Sequence, residues 1–415
     1  MKTVLVTGGT GIVGKTLVRM LVRKGYRVKV LSRKKNPVAA VCASGRDASD
    51  SWCRYFSQVA FVRGNITDPQ ALEKALKDVN LVFHLAAVIT PDIRFQPDIH
   101  FQSDIRLKAN TRLKPDICFQ PDAGGQYDPA KTRQKRISDL YYDVNVKGTE
   151  LLVQAACHEG VDRIVFFSSI SVYGSRYQGC SADESCDPEP DSFYARSKLE
   201  AEKYVLGAVN FENRPIGVVL RAASVYGPKE KKNYAGLIKM AKKGFFVSIH
   251  KRFARAEKKT PRREKNPARA EKRPGERERP VEPGGADNNG ALRTLIHDHD
   301  LARAAVLAAE HKQAPGKIYN VTDGSVHSMD DIRAAIEHFF GRKTISVPVP
   351  ESLVCFLVKV LERYPARQGI ASGLKRLVSD TAVKGNKIQE ELGFKPEVSL
   401  EKGWQNACVR LLKTA

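Results

Sequence analysis

Short runs of β-branched and aromatic residues alternate along the chain with longer segments whose apolar residues recur at helical spacing. The first pair is the run at residues 4–6 followed by the amphipathic segment at 12–22. Similar runs predict strands at residues 27–31, 59–62, 79–84 and 162–167. Strands that alternate with helices are typical of a parallel sheet covered on both faces. The pattern therefore predicts the α/β class with a doubly wound parallel sheet.

Two stretches interrupt this pattern. From Pro91 to Gln120 a six-residue unit such as Pro-Asp-Ile-Arg-Phe-Gln occurs five times. A β-helix takes about three such units for each coil, so five units give too few coils to bury a core. Residues 251–280 hold thirteen Lys or Arg against five Glu and almost nothing apolar, so they cannot fold alone. We predict two low-complexity insertions, at about 91–137 and about 251–287, the second being a disordered basic loop.

Beyond the second insertion the apolar pattern resumes. A strand is predicted at residues 317–321, a helix capped by Ser328 follows, and residues 391–396 form a closing segment. We assign these elements to a smaller α/β lobe. The predicted domains are therefore a larger one at 1–228 and a smaller one at 229–415.

Composition and charge narrow the class of protein. With 42% hydrophobic residues in 415, the chain can bury a large core. No signal-like segment precedes the first strand, and the apolar stretch at 353–361 is too short to span a bilayer, so a cytoplasmic protein without membrane partners is expected. The basic stretch at 251–280 supplies +8 of the net charge of +23. A tether to nucleic acid is its functional alternative, but a solvated insertion is favoured.

Metal chemistry is not predicted. The eight cysteines include no C-x-x-C pair, which favours reduced thiols over a zinc site or a disulfide framework. The run His297-Asp-His-Asp300 is rich in ligand types, but consecutive residues seldom converge on one ion.

The glycine-rich turn between the first strand and helix is the first candidate for chemistry. A side chain at Gly8 or Gly11 would block a tight turn and the approach of backbone N–H groups to a phosphate. A side chain at Gly14 would hold the helix away from the strand. A helix that starts near Ile12 directs its N-terminus at this turn, which suits a pyrophosphate.

The end of the second predicted strand indicates which dinucleotide is preferred. An acidic residue there would bind the ribose hydroxyls of NAD, whereas this chain has Ser32-Arg33-Lys34. A guanidinium at this place suits the 2′-phosphate of NADP. The cofactor is therefore predicted to be NADP or NAD, with NADP favoured, and a merely solvated loop is the alternative.

Tyr194 and Lys198 are spaced four apart on a predicted helix and therefore share one face. A nearby ammonium can favour the phenolate and turn the tyrosine into a general base at neutral pH. A serine from the preceding strand end could bond the substrate oxygen.

The order of glycine turn, Leu85-Ala-Ala, Asn145, Ser-Ser before Val-Tyr-Gly174, and Tyr-x-x-x-Lys resembles the extended short-chain dehydrogenase/reductase family, also called the NAD-dependent epimerase/dehydratase family. Its nucleotide-sugar epimerase branch is the most similar. The resemblance implies a dinucleotide-binding Rossmann domain at 1–228 and a substrate-binding lobe at 229–415. It covers nearly the whole chain apart from the two insertions. It implies these catalytic residues: Ser169, Tyr194 and Lys198. It implies these cofactor contacts: Gly8, Gly11, Ile12, Gly14, Ser32, Arg33, Asn65, Ile66, Ala86 and Lys198.

Function follows from the same resemblance. Dehydratases of the family carry an Asp-Glu pair after the catalytic serine or threonine, but this chain has Ile170-Ser171, which disfavours dehydration. An epimerase or oxidoreductase that acts on a nucleotide-sugar is expected, with Arg293 on the substrate diphosphate and a homodimer as the assembly. Two alternatives stay open: an NADP-dependent reductase or dehydrogenase of a hydroxysteroid or flavonoid-like alcohol, and a non-catalytic dinucleotide-binding scaffold.

Overall fold

A computed structural model of the chain describes residues 1–34, 55–89, 137–174, 181–228, 234–250, 291–362, 364, 374 and 381–413. The predicted insertions at about 91–137 and 251–287 lie, except for residue 137, outside the described residues.

A seven-stranded parallel sheet forms the centre of the molecule, in the order β3-β2-β1-β4-β5-β6-β10. Its strands are β1 (Thr3–Thr7), β2 (Arg27–Ser32), β3 (Ala60–Arg63), β4 (Leu81–His84), β5 (Arg163–Ser169), β6 (Gly217–Ala222) and β10 (Ile318–Val321). The strand order reverses direction between β1 and β4, and ligands bind open α/β sheets at the carboxyl ends of strands beside such a reversal. The predicted doubly wound fold is confirmed.

Helices cover both faces of this sheet because side chains alternate along each buried strand. Val4 and Val6 of β1 pack with α1 (Ile12–Arg23) and α6 (Asp298–Glu310) on one face. Leu5, between them, joins the cluster on the other face. Three helices cover that face: α2 (Pro69–Leu76), α4 (Phe193–Leu206) and α3, which runs from 137 to 158 with a π-helical part (Tyr142–Lys147) before its α-helical part (Gly148–His158).

The remaining elements form the smaller lobe. A three-stranded sheet contains β7 (Ser224–Tyr226), β9 (Arg293–His297) and β11 (Val326–His327), and a two-stranded sheet pairs β8 (Phe245–His250) with β12 (Ile345–Pro350). The helices of this part are α5 (Ala235–Lys242), α7 (Met329–Phe340), α8 (Glu351–Glu362) and α10 (Leu400–Lys413). Its core contains an aromatic stack, in which Tyr226 lies on Trp404 at 5.4 Å between ring centroids. Helix α9 (Asn386–Leu392) packs instead on the main sheet, where Ile388 and Leu392 join the cluster of Val4 and Val6.

Two elements are assigned to the wrong part of the molecule by the sequence pattern. The strand predicted at residues 317–321 is placed above in the smaller lobe, but Ile318–Val321 pairs with β6 and completes the main sheet. The closing segment at 391–396 is placed there too, but Leu392 and Phe394 are buried in the main-sheet cluster that contains Val4 and Val6. Helix α6, which precedes β10, packs on the same sheet beside α1. The division of the chain at residue 228 stays a prediction. Among the helices of the described residues, none has the length and apolar character to cross a membrane.

Candidate active site

The glycine turn between β1 and α1 is closely packed. Gly8 has φ +70°, and a Cβ on it would lie 2.8 Å from the backbone nitrogen of Ala86. A Cβ on Gly14 would lie 2.2 Å from the carbonyl oxygen of Gly8. The Gly11 N–H donates to that same oxygen at 2.9 Å. Glycine at these positions therefore lets helix α1, which begins at Ile12, start directly against the strand ends.

Buried polar side chains join the ends of β1 and β4 under this turn. The imidazole of His84 lies between two hydroxyls, with Nδ1 2.7 Å from Thr7 Oγ1 and Nε2 2.8 Å from Thr149 Oγ1. Burial lowers the pKa of His84 to about 3, so the ring is neutral at physiological pH. Thr7 Oγ1 also accepts the Ala86 N–H at 3.2 Å. The backbone at Ala86 is therefore fixed beside the turn.

Asn145 fixes the next part of this segment. Its Oδ1 accepts the Val88 N–H at 2.7 Å, and its Nδ2 donates to the Val88 carbonyl at 3.0 Å and to Ser197 Oγ at 2.9 Å. The residue lies in the π-helical part of α3, and such wide turns are frequent at functional sites. The chain after β4 is thereby tied to helix α4.

The three predicted catalytic residues come together. Ser169 ends β5, Tyr194 lies in the first turn of α4, and Lys198 lies one turn later on the same helix. Ser192 caps the helix by accepting the Ala195 N–H at 3.2 Å. The Ser169 hydroxyl bonds with the Tyr194 phenol, and the Lys198 ammonium lies 4.2 Å from the centre of the Phe166 ring.

The ionisation of this trio differs from the expectation. Burial raises the pKa of Tyr194 to about 12, and the bond from Ser169 opposes this only in part. Burial lowers the pKa of Lys198 to about 7, while the charge of Glu202 opposes the shift. The expectation that Lys198 makes the phenol a base at neutral pH is therefore wrong for these side chains by themselves. The cause is desolvation, which disfavours the charged form of both groups.

A buried ion pair lies one helical turn after Lys198. The Arg221 guanidinium donates to the Glu202 carboxylate from Nε at 3.1 Å and from Nη2 at 2.7 Å, and both side chains are almost fully buried. Ser168 Oγ also donates to Glu202. Arg221 Nη1 donates to Tyr173 Oη at 3.0 Å, and Tyr173 Oη in turn donates to Asn320 Oδ1 at 2.9 Å.

The remaining predicted cofactor contacts lie around the same end of the sheet. Ser32 ends β2, is buried, and accepts the Lys34 N–H at 3.2 Å. Arg33 follows it with an exposed side chain. Asn65 and Ile66 follow β3, where Ile66 is buried in the cluster on the α2 face of the sheet. Their contacts with a dinucleotide stay predictions.

Arg293 begins β9 and is 6% exposed. It pairs with His327 of β11 and forms a parallel bridge with Thr381. Two residues further on, Val383 bridges to Ala182, which lies in the chain between Ser169 and Tyr194. The backbone therefore ties Arg293 to the segment that leads into the catalytic helix.

The acidic and histidine run at the start of α6 has a structural role. Asp300 is fully buried, and its Oδ2 accepts the backbone N–H groups of Glu397 at 3.1 Å and Val398 at 2.9 Å. His299, Asp300 and Glu397 bring ligand atoms within 4.8 Å of one another, but Arg303 already pairs with both carboxylates.

Three residues of the site were missed as candidates: His84, Glu202 and Arg221. Glu202 had a local signal, because it follows Lys198 by four residues and therefore extends the face that carries Tyr194. Arg221 begins the stretch Arg221-Ala-Ala-Ser-Val-Tyr-Gly-Pro228, which resembles a motif of the family, but nothing local indicated its ion pair with another element. His84 had no signal, since its partners come from other elements.

Comparison with known proteins identifies the family. The model of the NAD dependent epimerase/dehydratase family matches residues 4–113, and that of the 3-beta hydroxysteroid dehydrogenase/isomerase family matches residues 130–257. The chain belongs to the extended short-chain dehydrogenase/reductase family. The resemblance seen in the sequence motifs is thereby confirmed, and the family's dependence on NAD(P) applies to this member.

Relatives of two activities match almost the whole chain. A UDP-glucose 4-epimerase from Vibrio cholerae is 24% identical over 99% of this chain and 96% of its own length. A 3-beta-hydroxysteroid dehydrogenase from Mycolicibacterium neoaurum is 24% identical over 96% of this chain and 88% of its own length. Membership of the family is therefore clear, while the substrate differs between these two relatives.

Solved structures agree on the fold. The UDP-glucuronic acid 4-epimerase from Bacillus cereus, in complex with NAD, matches with a TM-score of 0.62 at 20% identity and 99% coverage of both chains. MoeE5, in complex with UDP-glucose and NAD, matches with a TM-score of 0.59 at 21% identity and 99% coverage of both chains. At this identity the likeness establishes the Rossmann architecture.

Proposed function

We propose that this member of the family is an NAD(P)-dependent epimerase or oxidoreductase of a nucleotide-sugar. The observation that carries the proposal is the buried Arg293 at the start of β9. Backbone bridges connect it through residues 381–383 to Ala182, which lies between Ser169 and Tyr194 in the chain. The full-length similarity to a UDP-glucose 4-epimerase supports the proposal. Both lines support a substrate with an anionic group that Arg293 binds.

The residues around the glycine turn fit a dinucleotide. Closely packed backbone at Gly8 and Gly14, together with the N-terminus of α1, forms a cradle in which any Cβ would collide with backbone. When bound, the nicotinamide supplies the carbon that accepts and returns a hydride. We assign the remaining cofactor contacts as the resemblance implies: Ile12, Ser32, Arg33, Asn65, Ile66, Ala86 and Lys198.

The chain's own groups handle the proton. The Ser169 hydroxyl and the Tyr194 phenol, already bonded to one another, would both contact the reacting oxygen of the sugar. A phenol with a pKa near 12 is a proton donor at neutral pH, which suits the reductive half of an epimerisation. In the oxidative half Tyr194 must accept that proton back, and a charged Lys198 on the same helix face lowers the cost.

The preference for NADP is the first test. Arg33 follows directly on the buried Ser32 at the end of β2, and the sequence Ser32-Arg33-Lys34 contains no carboxylate to bind a ribose hydroxyl. We expect Arg33→Ala to weaken NADP binding by more than about tenfold and to leave NAD binding nearly unchanged, because only NADP carries the 2′-phosphate. Fluorescence titration of both dinucleotides measures this, and a parent protein that prefers NAD would contradict it.

Arg293 decides the substrate class. A guanidinium that bonds diphosphate oxygens in a partly desolvated cleft contributes about 2 to 4 kcal/mol. We expect Arg293→Ala to weaken binding of UDP and of a UDP-sugar by more than about tenfold. Dinucleotide affinity should stay the same, and the exposed Arg342 of the same lobe provides the matched control in Arg342→Ala.

The two readouts of that experiment are binding by calorimetry and the configuration of the recovered sugar by NMR. Tyr194→Phe should bind UDP-sugar normally and turn it over at least about a hundredfold more slowly. Equal UDP affinity in Arg293→Ala and parent, or a parent that binds no UDP, would exclude the nucleotide-sugar assignment. The homodimer stays a prediction, which the mass in solution tests.

A hydroxysteroid dehydrogenase is the second candidate. The 3-beta hydroxysteroid dehydrogenase/isomerase model matches residues 130–257, which contain the whole catalytic trio. A steroid alcohol has no diphosphate, so in this case Arg293→Ala should leave turnover unchanged. Dinucleotide reduction on addition of a 3β-hydroxysteroid is the measurement that distinguishes the two candidates.

A further inference from the structure

The ion pair between Glu202 and Arg221 lies at the point where the catalytic elements meet. Glu202 belongs to α4, two turns after Tyr194 and one turn after Lys198. Arg221 belongs to β6, next to β5 in the main sheet. Each side chain is 2% exposed, and the guanidinium makes a forked contact with the carboxylate. Such a bidentate pair fixes geometry as well as charge.

The ion pair forms hydrogen bonds with residues before and after Ser169, which ends β5. The residue before it, Ser168, donates its hydroxyl to Glu202. Tyr173, in the short 3-10 helix Ile170–Tyr173 after it, accepts a bond from Arg221 Nη1 at 3.0 Å. The ion pair is therefore connected to Ser169 from the preceding and the following residues, and to Tyr194 through helix α4.

The surroundings of Lys198 contain few charges. The aromatic ring of Phe166 lies against its ammonium from β5, and the neutral His84 approaches from β4. On its own helix the flanking groups are the uncharged Tyr194 phenol and the Glu202 carboxylate. Glu202 is the group whose charge favours the protonated form of Lys198 against desolvation.

We propose that the Glu202–Arg221 pair is the positioning unit of the catalytic site, which sets Ser169 against Tyr194 and keeps Lys198 charged through the Glu202 carboxylate. Neither residue contacts the reacting atoms in this assignment. The kinetic part of the proposal rests on the proposed function, whereas the ionisation of Lys198 does not require a substrate.

Removing the Glu202 charge has a defined effect. In Glu202→Gln the ammonium loses its attractive neighbour, so the pKa of Lys198 should fall below its value of about 7. Between the old and new midpoints Lys198 is neutral in the variant and charged in the parent. Turnover at pH 7 should therefore fall at least about fivefold with KM within about twofold, and the deficit should shrink at pH values below the new midpoint.

The titration of Lys198 is measured directly on dinucleotide-loaded protein by NMR of its labelled ε-carbon, assigned from the signal lost in Lys198→Met. Glu202→Gln leaves Arg221 buried and unpaired, which also destabilises the protein. The double variant Glu202→Gln/Arg221→Met has no unpaired buried charge. It should recover thermal stability relative to the single variant and still show the lowered Lys198 midpoint.

Two further variants separate charge from packing. Glu202→Asp keeps the charge and should retain a Lys198 midpoint close to that of the parent, despite a weaker forked contact. Glu200→Gln removes the same charge from the exposed side of the same helix, where Glu200 pairs with Lys203 at 2.7 Å, and should change neither midpoint nor turnover.

The outcomes distinguish the inference from the function. An unchanged Lys198 midpoint in the double variant would overturn the positioning role, whatever the activity. A lowered midpoint in a protein that turns over no UDP-sugar would support the positioning role and refute the nucleotide-sugar assignment. If Glu202→Gln does not fold, Glu202→Asp and the double variant still decide the question.

Discussion

Gly14 and Gly236 are both helical glycines, and they should respond oppositely to the same change. A Cβ on Gly14 would lie 2.2 Å from the Gly8 carbonyl oxygen, whereas nothing lies within 4 Å of one on the exposed Gly236. We expect Gly14→Ala to cost about 1 to 3 kcal/mol of unfolding free energy and most of the dinucleotide affinity, because α1 must move away from β1. Gly236→Ala should stabilise by about 0.5 to 1 kcal/mol.

Denaturant unfolding and dinucleotide titration of the two variants test this. Equal effects of Gly14→Ala and Gly236→Ala on stability would mean that the glycine turn adapts to the added Cβ. Retained dinucleotide affinity in Gly14→Ala would show that dinucleotide binding does not depend on the close packing of this turn.

At the scale of residues, the sequence predicts contacts that depend on local spacing. A Cβ on Gly14 would meet its own turn, and Tyr194 and Lys198 share a face because four residues make about one helical turn. The catalytic assignment of Ser169 came from the family resemblance, but its bond to Tyr194 was not predicted. Glu202 and Arg221 were missed because an ion pair between β6 and α4 depends on how the sheet is covered.

The same limit explains the error over ionisation. Helical spacing shows that Lys198 is near Tyr194, but it does not show that both are desolvated. Burial of the phenol and of the ammonium is a property of the packed site, and here it outweighs their proximity.

At the scale of elements, helices α1 and α6 come from opposite halves of the chain and are joined by a buried hydrogen bond. Thr16 Oγ1 donates to Asp298 Oδ2 at 2.7 Å, and Nδ1 of His297 lies 3.3 Å from the other carboxylate oxygen. We expect Thr16→Val to cost about 1 to 3 kcal/mol of unfolding free energy, because it leaves a buried carboxylate short of a donor at nearly constant volume.

A double-mutant cycle with Asp298→Ala measures the coupling by chemical denaturation. The two costs should be far from additive, since one bond is lost in either variant. Additive costs would show that Thr16 and Asp298 act independently.

At the scale of the whole molecule, the sequence predicts the class of fold better than the assignment of its parts. The alternation of strand and helix patterns gives the parallel sheet, and the Ser328 capping box is found as expected. Strand order is not a local property, however. Ile318–Val321 reads like any short buried strand, and only its pairing with β6 shows that it belongs to the main sheet.

Elements from both sides of residue 228 therefore build the main sheet and its core. A fragment of residues 1–228 lacks β10 and α6, so the outer edge of β6 loses its partner and the face that carries Val4 and Val6 loses a covering helix. We expect the fragment to be aggregation-prone and to unfold without a cooperative transition, because an unpaired hydrophobic edge and an uncovered core face are both exposed. Co-expression with residues 229–415 should restore a folded, dinucleotide-binding complex, since the missing elements are then supplied in trans. Circular dichroism melts and dinucleotide titration compare the fragment, the complex and the full chain, and a fragment that melts cooperatively and binds dinucleotide alone would instead establish residues 1–228 as an independent domain.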